Sequence, residues 1–373
     1  MPTADELISA ETVRELAGLL RESAPRRSDW RTVAGAATAL AGLGPGERAR
    51  TVGGALVADA GGGWDELADA VRALLGRPEL TGWMVWPVTE AVAAAATAPG
   101  GDFADGLDLL AALTPRLTAE FALRAFLDAD LDRTLAAARA WSASPDPAVR
   151  RLASEGTRPR LPWARQVPAL TAAPGVTVPI LDALRHDPDE VVRRSVANHL
   201  NDLSRLDPAL ATATAARWAA DPDAATASVV RHAMRTLIKD GDPAALALVG
   251  FHGDREDLKV VGPLLDRSTV PIGGTLTFTA RVTNVSAAPV SLVIDYVVHH
   301  RKANGRTTPK VFKLTRRTLA PDATTDLTRH HSFRPLTTRT YHPGEHALQL
   351  QVNGHRFDTA PFTLTTPTVP PQP

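Results

Sequence analysis

The chain has 373 residues, with 41 Lys and Arg against 41 Asp and Glu, no cysteine, and 44% hydrophobic residues. This length is enough for two or three packed domains. The lack of cysteine excludes a disulfide scaffold, thiolate-bound metals and a cysteine nucleophile, and is typical of a reducing compartment. No apolar run approaches the roughly 18 residues that cross a bilayer, and the N-terminal segment is acidic rather than basic. We therefore expect a cytoplasmic protein without a membrane span.

The balanced total charge hides a gradient along the chain. Residues 1–140 carry 13 basic and 20 acidic side chains, residues 141–265 carry 15 of each, and residues 266–373 carry 13 basic and 6 acidic ones. Seven of the eleven histidines also lie in the last segment. Such a basic excess is typical of contact with a polyanion, although ordinary solvation of a small domain explains it equally well.

The first part of the chain, residues 1–257, is rich in Ala and Leu with helical periodicity. Asp-Pro turns at Asp146, Asp187 and Asp221 each precede an amphipathic segment, and successive turns lie 41 and 34 residues apart. This spacing is close to the period of HEAT-like helical pairs, which stack into a curved solenoid. We predict an all-α HEAT-like repeat domain over residues 1–257.

Beyond residue 257 the apolar residues fall on every second position, as in 275–282 and in 348–352 before an Asn353-Gly354 turn signal. Seven strands are predicted, near residues 259–264, 275–284, 290–300, 309–319, 323–333, 345–352 and 355–364. Their spacing predicts a Greek-key sandwich of immunoglobulin type over residues 258–366. The Pro-rich residues 367–373 read as a flexible tail.

One helix, residues 191–203, shows two stripes at 100° per residue. The apolar stripe is predicted to be buried and consists of Val192, Val196, Leu200 and Leu203. A second stripe runs along its edge and consists of Val191, Ser195, Asn198 and Asp202. Asn198 and Asp202 are therefore expected to point the same way.

Alignment of the repeats extends this second stripe to neighbouring helices. It places Glu155 opposite Asn198, adds Thr236 and Asp240 from the following repeat, and puts Glu120 one repeat earlier. The same face of every repeat lines the concave surface of a solenoid. The predicted concave row consists of Glu120, Glu155, Asn198, Asp202 and Asp240.

A segment between the aligned repeats, residues 154–163, contains a glycine and two prolines that stop a helix. It offers Arg158 and Arg160 beside Trp163, whose ring suits stacking on a base or on a cation. Each residue also has a purely structural interpretation. Trp163 fits a core, Asp202 a solvated helix end, and Asn198 an interhelical hydrogen bond.

Two segments, SEGTRPRLPW at 154–163 and RRSVANHLNDL at 193–203, resemble the AlkC family of bacterial DNA alkylation-repair glycosylases, which are relatives of AlkD. The predicted sandwich resembles the immunoglobulin-like extension of one AlkC subgroup. The resemblance implies Glu155, Trp163 and Asp202 as active-site residues, with Glu120 as a fourth.

The resemblance also implies the substrate and the partner, alkylated double-stranded DNA. The expected activity is hydrolysis of the N-glycosidic bond of N3-methyladenine and N3-methylcytosine without base flipping, by a nucleoid-associated monomer that needs neither cofactor nor metal. DNA contacts are expected from Arg158, Arg160, Arg194, Asn198, Thr236, Lys239, Lys310 and Arg316.

This chemistry suits the residues. A base alkylated at N3 is cationic and already a good leaving group, so the enzyme supplies negative charge near the sugar and an oriented water. Glu155 and Asp202 are predicted to do this, while Trp163 holds the cationic base. Neither motif contains lysine, which predicts a monofunctional glycosylase without a Schiff-base step.

Two other functions remain open from the residues alone. A non-catalytic HEAT scaffold that binds protein or structured nucleic acid is common among helical repeats. A metal hydrolase is the third reading, because His342 and His346 lie four residues apart. These two histidines sit in a turn that leads into a strand, which argues against a helical metal-binding motif.

Overall fold

A computed structural model of the chain describes residues 3–24, 29–61, 63–251, 255–335 and 340–366. The chain divides into two compact units, residues 1–233 and 234–373. The predicted tail, residues 367–373, lies outside the described residues. Among the helices described, none combines the length and the apolar character that a membrane-spanning segment needs.

The first unit is all-α. Its helices are α1 (Ala4–Leu7), α2 (Ala10–Ser23), α3 (Arg31–Ala36), α4 (Pro45–Asp59), α5 (Trp64–Leu75), α6 (Val85–Ala96), α7 (Phe103–Leu113), α8 (Leu123–Ala129), α9 (Leu131–Trp141), α10 (Pro147–Glu155), α11 (Pro168–Ala172), α12 (Val178–Leu184), α13 (Glu190–Leu203), α14 (Pro208–Ala220) and α15 (Thr226–Ala233). Helix α4 packs against α6, α10 against α13, and α13 against α15.

The Asp-Pro dipeptides at 146–147 and 207–208 start helices for a local reason. The side chain of Asp146 accepts a hydrogen bond from the backbone N–H of Ala148 at 2.8 Å, and Pro147 opens α10. Asp satisfies an N–H that has no partner within the helix, and Pro has the backbone angle that the first turn requires. Asp207 and Pro208 begin α14 in the same way.

The turns also join one repeat to the next. Arg150 on α10 binds the buried carboxylate of Asp187 through two hydrogen bonds, from Nε at 2.6 Å and from Nη2 at 3.0 Å. Arg185 binds Asp221 in the turn that follows. A bidentate pair holds the angle between its partners as well as their distance. The repeated packing confirms the predicted helical repeat domain.

The second unit begins with two short helices and continues as sheet. Its elements are α16 (Arg235–Asp240), α17 (Pro243–Leu248), β1 (Leu258–Leu265), β2 (Thr269–Pro271), β3 (Thr275–Asn284), β4 (Val290–Arg301), β5 (Thr307–Leu319), β6 (Thr324–Ser332), β7 (Gly344–Val352) and β8 (His355–Thr365). All seven predicted strands are present. Sequence analysis missed β2, because three residues are too few to show alternation.

The strands form two sheets around one core. One sheet has the order β1-β3-β6 and the other the order β2-β8-β7-β4-β5. Their inward side chains, among them Phe278, Tyr296 and Leu350, belong to a single buried cluster. The predicted order of a helical repeat domain followed by a β-sandwich is confirmed.

Helices α16 and α17 belong with the sandwich by packing, although the change from helix to strand occurs at Leu258. The turn between β7 and β8 has positive φ at both Asn353 (45°) and Gly354 (81°), as a tight hairpin turn requires. A Cβ atom on Gly354 would overlap the carbonyl oxygen of Gly241, which joins the two helices. Glycine at 354 therefore lets this hairpin touch the helical segment.

A buried carboxylate, that of Asp295 on β4, lies on this sheet opposite Lys313 of β5 and Gln351 of β7. The side chain is 5% exposed, and its Oδ1 has no hydrogen-bond partner. Burial raises the pKa of Asp295 to about 6, while the charges of Lys313 and Arg316 act in the opposite direction. The ionised form is therefore less stable in the folded state than in water.

We predict that Asp295→Asn stabilises the sandwich at neutral pH. The folded state holds the Asp295 proton more tightly than the unfolded chain, so stability falls as the pH rises from about 4 to about 6. Hydrogen exchange of β4 at pH 5 and pH 7.5 measures this loss, and Asp295→Asn should abolish it. The control Asp326→Asn removes an exposed partner of Arg281 and should not reduce the pH dependence. An unchanged pH dependence in Asp295→Asn would contradict the prediction.

Candidate active site

The segment that follows α10 turns sharply and packs tightly against its neighbours. Helix α10 ends at Glu155, and a Cβ on the next residue, Gly156, would lie 2.6 Å from Cδ2 of Leu123 and 2.9 Å from the carbonyl oxygen of Leu152. Only glycine fits there. Further on, Trp163 has φ 65°, a rare conformation for a side-chain-bearing residue, and the residue is 53% exposed. The structure thus holds Trp163 at the surface rather than in a core.

Three carboxylates and two guanidinium groups from different parts of the helical unit lie together. This carboxylate cluster consists of Glu120, Arg151, Glu155, Arg158 and Asp202. Arg158 joins two carboxylates, because its Nη1 donates to Glu155 Oε1 at 2.6 Å and its Nε to Asp202 Oδ2 at 2.8 Å. Arg151 Nη1 donates to Glu120 Oε2 at 2.9 Å, and its Nη2 lies 3.9 Å from Glu155 Oε1. The structure therefore brings Glu120, Glu155 and Asp202 into one place.

The cluster is buried and carries a net negative charge when all five groups are ionised. Glu155, Arg158 and Asp202 are each 6% or 7% exposed. Burial raises the pKa of Glu120, and the positive charge of Arg151 offsets part of this rise. Burial lowers the pKa of Arg158. Its hydrogen bond to Asp202 and the negative charge of Glu155 outweigh this effect and keep the pKa above the ordinary value. Buried charges of this kind persist because each has a partner of opposite sign.

Two serine hydroxyl groups orient the carboxylate oxygen of Glu155 that Arg158 does not bind. Ser195 Oγ donates to Glu155 Oε2 at 2.6 Å, and Ser154 Oγ lies 2.6 Å from Ser195 Oγ. The ring of His199 contacts the Ser154 carbonyl oxygen through Nδ1 at 2.8 Å and the Thr177 hydroxyl through Nε2 at 3.0 Å. Burial lowers the pKa of His199 to about 3, so the ring is neutral and donates from Nδ1. His199 is thus a structural support and no proton donor at neutral pH.

Arg124 holds the segment that carries the cluster. Its side chain is fully buried, with Nη1 donating to the carbonyl oxygens of Gly156 at 3.2 Å and Arg158 at 2.6 Å, and Nε to that of Arg165 at 3.1 Å. Burial lowers the pKa of Arg124 to about 10. The guanidinium satisfies three carbonyl groups of an irregular segment that has no regular backbone partners.

Other predicted residues of the helical unit lie apart from the carboxylate cluster. Asn198 Oδ1 accepts a hydrogen bond from His232 Nε2 at 2.9 Å, so it joins α13 to α15. Arg160 and Arg194 are exposed, and Arg194 Nη2 lies 3.1 Å from Glu190 Oε1. Arg158, predicted as a DNA contact, is instead enclosed by Glu155 and Asp202.

The extension of the concave row to Thr236 and Asp240 needs correction. The repeat alignment places both residues on one continuous helix, whereas α15 ends at Ala233 and α16 begins at Arg235. The intervening Met234 has ψ 3°, which interrupts the helical path. Residues after Met234 therefore do not continue the helical face that carries the stripe before it. Thr236 and Asp240 belong to the second unit, together with the exposed Lys239.

The two predicted basic residues of the sandwich lie on its edge strand β5. Lys310 and Arg316 are exposed. The Lys310 Nζ lies 5.5 Å from the ring centroid of Phe312, and the Arg316 guanidinium lies 5.3 Å from that of Phe251. Cation–π contacts hold both side chains without neutralising their charge.

Sequence analysis missed two residues that organise the site. Arg151 lies four residues before Glu155 and therefore on the same face of α10, so the helical period was a usable signal for it. Arg124 left no such signal, because its partners are backbone carbonyl groups that any residue carries. Within the part of the chain that the structure describes, no group of three His, Asp or Glu side chains is placed to hold a metal ion.

We predict that Arg124→Met lowers the free energy of unfolding by roughly 3 kcal/mol. Hydrogen bonds to charged groups contribute about 1.5–3 kcal/mol each, and a methionine leaves three buried carbonyl groups without a donor. Part of this loss is offset because the buried charge of Arg124, which is costly to desolvate, is removed as well. Thermal or urea unfolding measures the loss. Arg160→Met, in the same segment but exposed, should change stability by less than about 0.5 kcal/mol. Equal effects of the two substitutions would show that Arg124 does not hold the segment.

Three comparisons with known proteins agree. Residues 259–366 match the family model for the C-terminal Ig-like domain of the uncharacterised protein YhaZ. The chain is 37% identical to YhaZ of Bacillus subtilis (strain 168) over 261 residues, which cover 70% of this chain and 72% of that protein. The structure of the alkylpurine DNA glycosylase AlkC of Pseudomonas fluorescens, bound to DNA containing an abasic site analog, matches with 32% identity and a TM-score of 0.81, covering 98% and 99% of the two chains. The chain therefore belongs to the family of AlkC and YhaZ.

Proposed function

We propose that this protein is a DNA glycosylase that excises cationic N3-alkylated bases, N3-methyladenine and N3-methylcytosine, from duplex DNA. One observation carries the proposal. In a chain related to AlkC over nearly its whole length, Glu120, Glu155 and Asp202 meet in a cluster one short segment away from the exposed Trp163.

The reaction needs negative charge near the sugar, and it does not need an acid that protonates the leaving base. The base carries a positive charge, and it leaves with the electron pair of the N-glycosidic bond, which neutralises that charge. The sugar becomes oxocarbenium-like at C1′, and a water adds there while its proton passes to a carboxylate or to solvent. Asp202 and Glu155 stabilise the sugar cation and orient the water. Glu120 adds a further negative charge to the cluster.

Arg158 is a positioning residue in this proposal. It fixes both Glu155 and Asp202 while leaving the cluster with an excess of one negative charge, since three carboxylates face two guanidinium groups. Groups that are oriented before the reaction cost no reorganisation during it. Trp163 offers its exposed ring face to the cationic base or to the adjoining sugar.

The lesion need not leave the duplex in this mechanism. The catalytic groups act on the sugar, and a cationic base requires no proton from the enzyme, so no pocket has to read its edge before cleavage. We propose that the base remains stacked until the bond breaks. The five lysines of the chain, at 239, 259, 302, 310 and 313, all lie outside the carboxylate cluster, in keeping with a monofunctional enzyme without a Schiff base.

The direct test is release of free base. Duplex DNA that contains N3-methyladenine or N3-methylcytosine is incubated with the protein, and the released bases are separated by liquid chromatography, with unmodified duplex as control. Excision from the alkylated duplex alone is expected. The alternative function, a non-catalytic repeat scaffold, predicts DNA binding with no base above the spontaneous background.

We predict that Asp202→Asn slows excision by about 100-fold in single-turnover experiments, the cost of losing one preorganised electrostatic group. The amide keeps the shape and removes the charge. DNA affinity should stay equal or rise slightly, because a charge that repels phosphate is gone. The control Asp221→Asn alters an exposed carboxylate in a repeat turn and should leave the rate unchanged. A near wild-type rate in folded Asp202→Asn would exclude Asp202 and leave Glu155 as the catalytic carboxylate.

Five basic residues and one hydroxyl group are proposed to bind the phosphate backbone: Arg160, Arg194, Thr236 and Lys239 from the mainly helical residues 1–257, and Lys310 and Arg316 from the sandwich. A tethered second site raises the effective concentration of DNA for the first. This proposal gives the basic edge strand β5 a function.

We predict that the double substitution Lys310→Gln and Arg316→Gln weakens duplex binding and flattens its dependence on salt. Each lost phosphate contact removes about 0.9 from the slope of log K against log salt concentration. The control Arg267→Gln removes an exposed sandwich arginine that is paired with Asp266. Fluorescence anisotropy at several salt concentrations gives both quantities. Unchanged affinity and slope in the double variant would remove β5 from the interface.

A further inference from the structure

A cavity with a chemistry of its own lies in the sandwich, where β4 turns into β5. It has a volume of about 660 Å³, and we call it the cationic recess. Its walls come from the end of β4, the start of β5 and residues 340–342, which precede β7. The volume falls within the range of about 300–1,000 Å³ that small-molecule sites occupy. The carboxylate cluster belongs to the helical unit, so the proposed cleavage step does not use the recess.

The alternation of side chains along the strands explains why charged groups line the recess. Side chains two residues apart on a strand point to the same face of a sheet. On β4, Val298 belongs to the buried core, and the next residue on that face is His300. On β5, Phe312 packs against the core, and Lys310 and Thr308 precede it on the same face, opposite Val298 and His300. The core-facing side of this sheet thus changes from apolar to basic where the strands reach the recess.

The recess presents several cations and hydroxyl groups to a ligand. Arg301, Lys302 and Lys310 line it, together with Thr308 and Thr340. Among the described residues of its lining, none is Asp or Glu. Guanidinium and ammonium groups form strong, charge-assisted hydrogen bonds to phosphate oxygen atoms. The lining therefore suits an anion that carries more than one negative charge.

A buried histidine joins two walls of the recess. Nε2 of His346 donates to the carbonyl oxygen of His342 at 2.9 Å, and Nδ1 accepts from the backbone N–H of Arg301 at 3.3 Å. Burial lowers the pKa of His346, which agrees with a neutral ring that donates from one nitrogen and accepts at the other. Gly344 has φ 123°, and a Cβ there would lie 2.8 Å from Cδ of Arg301. Glycine at 344 therefore leaves room for the arginine side chain along this wall.

The turn between β4 and β5 holds its backbone by hydrogen bonds. The N–H of Lys302 donates to the carbonyl oxygen of Arg306 at 2.8 Å, and the N–H of Gly305 donates to that of Lys302 at 2.9 Å. The side-chain oxygen of Asn304 accepts from the N–H of Arg306 at 3.1 Å. Lys302 thus extends from an ordered backbone, which reduces the entropy that is lost when a ligand binds.

Beyond the proposed excision reaction, we propose that the cationic recess binds a phosphate monoester, the group found at the 5′ end of a DNA strand and in a free mononucleotide. A phosphate monoester carries a charge of roughly −1.5 to −2 at pH 7, together with three acceptor oxygen atoms. A diester of the DNA backbone carries a single charge and continues into chain on both sides. A terminal group therefore matches both the charge of the recess and its concave shape better than a diester does.

Isothermal titration calorimetry of the full chain with adenosine 5′-monophosphate tests the recess, with adenosine as the ligand that lacks the phosphate. Wild type should bind the nucleotide more tightly than adenosine. The double variant Arg301→Gln and Lys302→Gln should weaken nucleotide binding by about 10-fold or more, because charge-assisted hydrogen bonds to the phosphate are lost. The matched control Arg306→Gln removes an exposed cation of the same turn that does not line the recess, and it should keep wild-type affinity.

A second variant, Thr308→Glu, tests the recess by a different change. It places a carboxylate among the cations, so it should abolish the preference for the nucleotide over adenosine. Thr308 is exposed, and melting temperatures report whether each variant folds. Lys310 stays intact in all variants, because it also belongs to the proposed duplex contact of β5. Equal affinity of wild type for nucleotide and adenosine, or wild-type nucleotide affinity in either folded recess variant, would overturn the proposal.

A single-stranded oligonucleotide with a 5′-phosphate, compared with the same strand ending in a 5′-hydroxyl, distinguishes the two sources of the monoester. If strand ends bind, the 5′-phosphate raises affinity and the double variant removes this gain. If only free nucleotides bind, the 5′-phosphate adds nothing and the double variant leaves oligonucleotide binding unchanged. Equal weakening of both strands by the double variant would show that the recess holds a backbone diester, against the proposal.

The outcome for the recess is separate from that of the proposed glycosylase. Failure of the glycosylase proposal appears as no release of base from alkylated duplex by wild type. Failure of the recess proposal appears in the titrations, whether or not base is released.

Discussion

A buried guanidinium, that of Arg158, joins the carboxylates of Glu155 and Asp202, which come from successive repeats of the helical unit. Removal of a partner from such a triad leaves uncompensated charge out of water, which costs several kcal/mol. The packing of α10 on α13, the turn after Glu155 and the burial of Arg124 must all keep these three groups in place. The site is therefore as rigid as the interface between two repeats.

In the proposed function, the negative charge of the carboxylate cluster conflicts with binding of DNA. Carboxylates favour a sugar cation but repel phosphate, so the groups suited to catalysis oppose binding. We propose that the basic excess of residues 266–373 compensates for this repulsion, with the exposed cations on β5 that lie against aromatic rings.

Local sequence determined the elements and their types. Alternation of apolar residues predicted seven strands, since a sandwich strand buries every second side chain. Asp-Pro dipeptides predicted helix starts, as at Asp146, because the cap and the proline act within one turn. The stripe that carries Asp202 followed from the helical period, and the repeat spacing aligned it with Glu155. Motif resemblance then indicated the family.

Long-range contacts were decided only in the tertiary structure. Arg158, expected to face DNA, turns inward because Glu155 and Asp202 together outweigh its solvation. Arg124 pairs with carbonyl groups, which every residue has, so no residue pattern marks them. The break at Met234 ended a stripe that periodicity alone would have continued. Trp86, Phe121 and Trp163 come from three separate segments and line one cavity, which no local sequence pattern predicts.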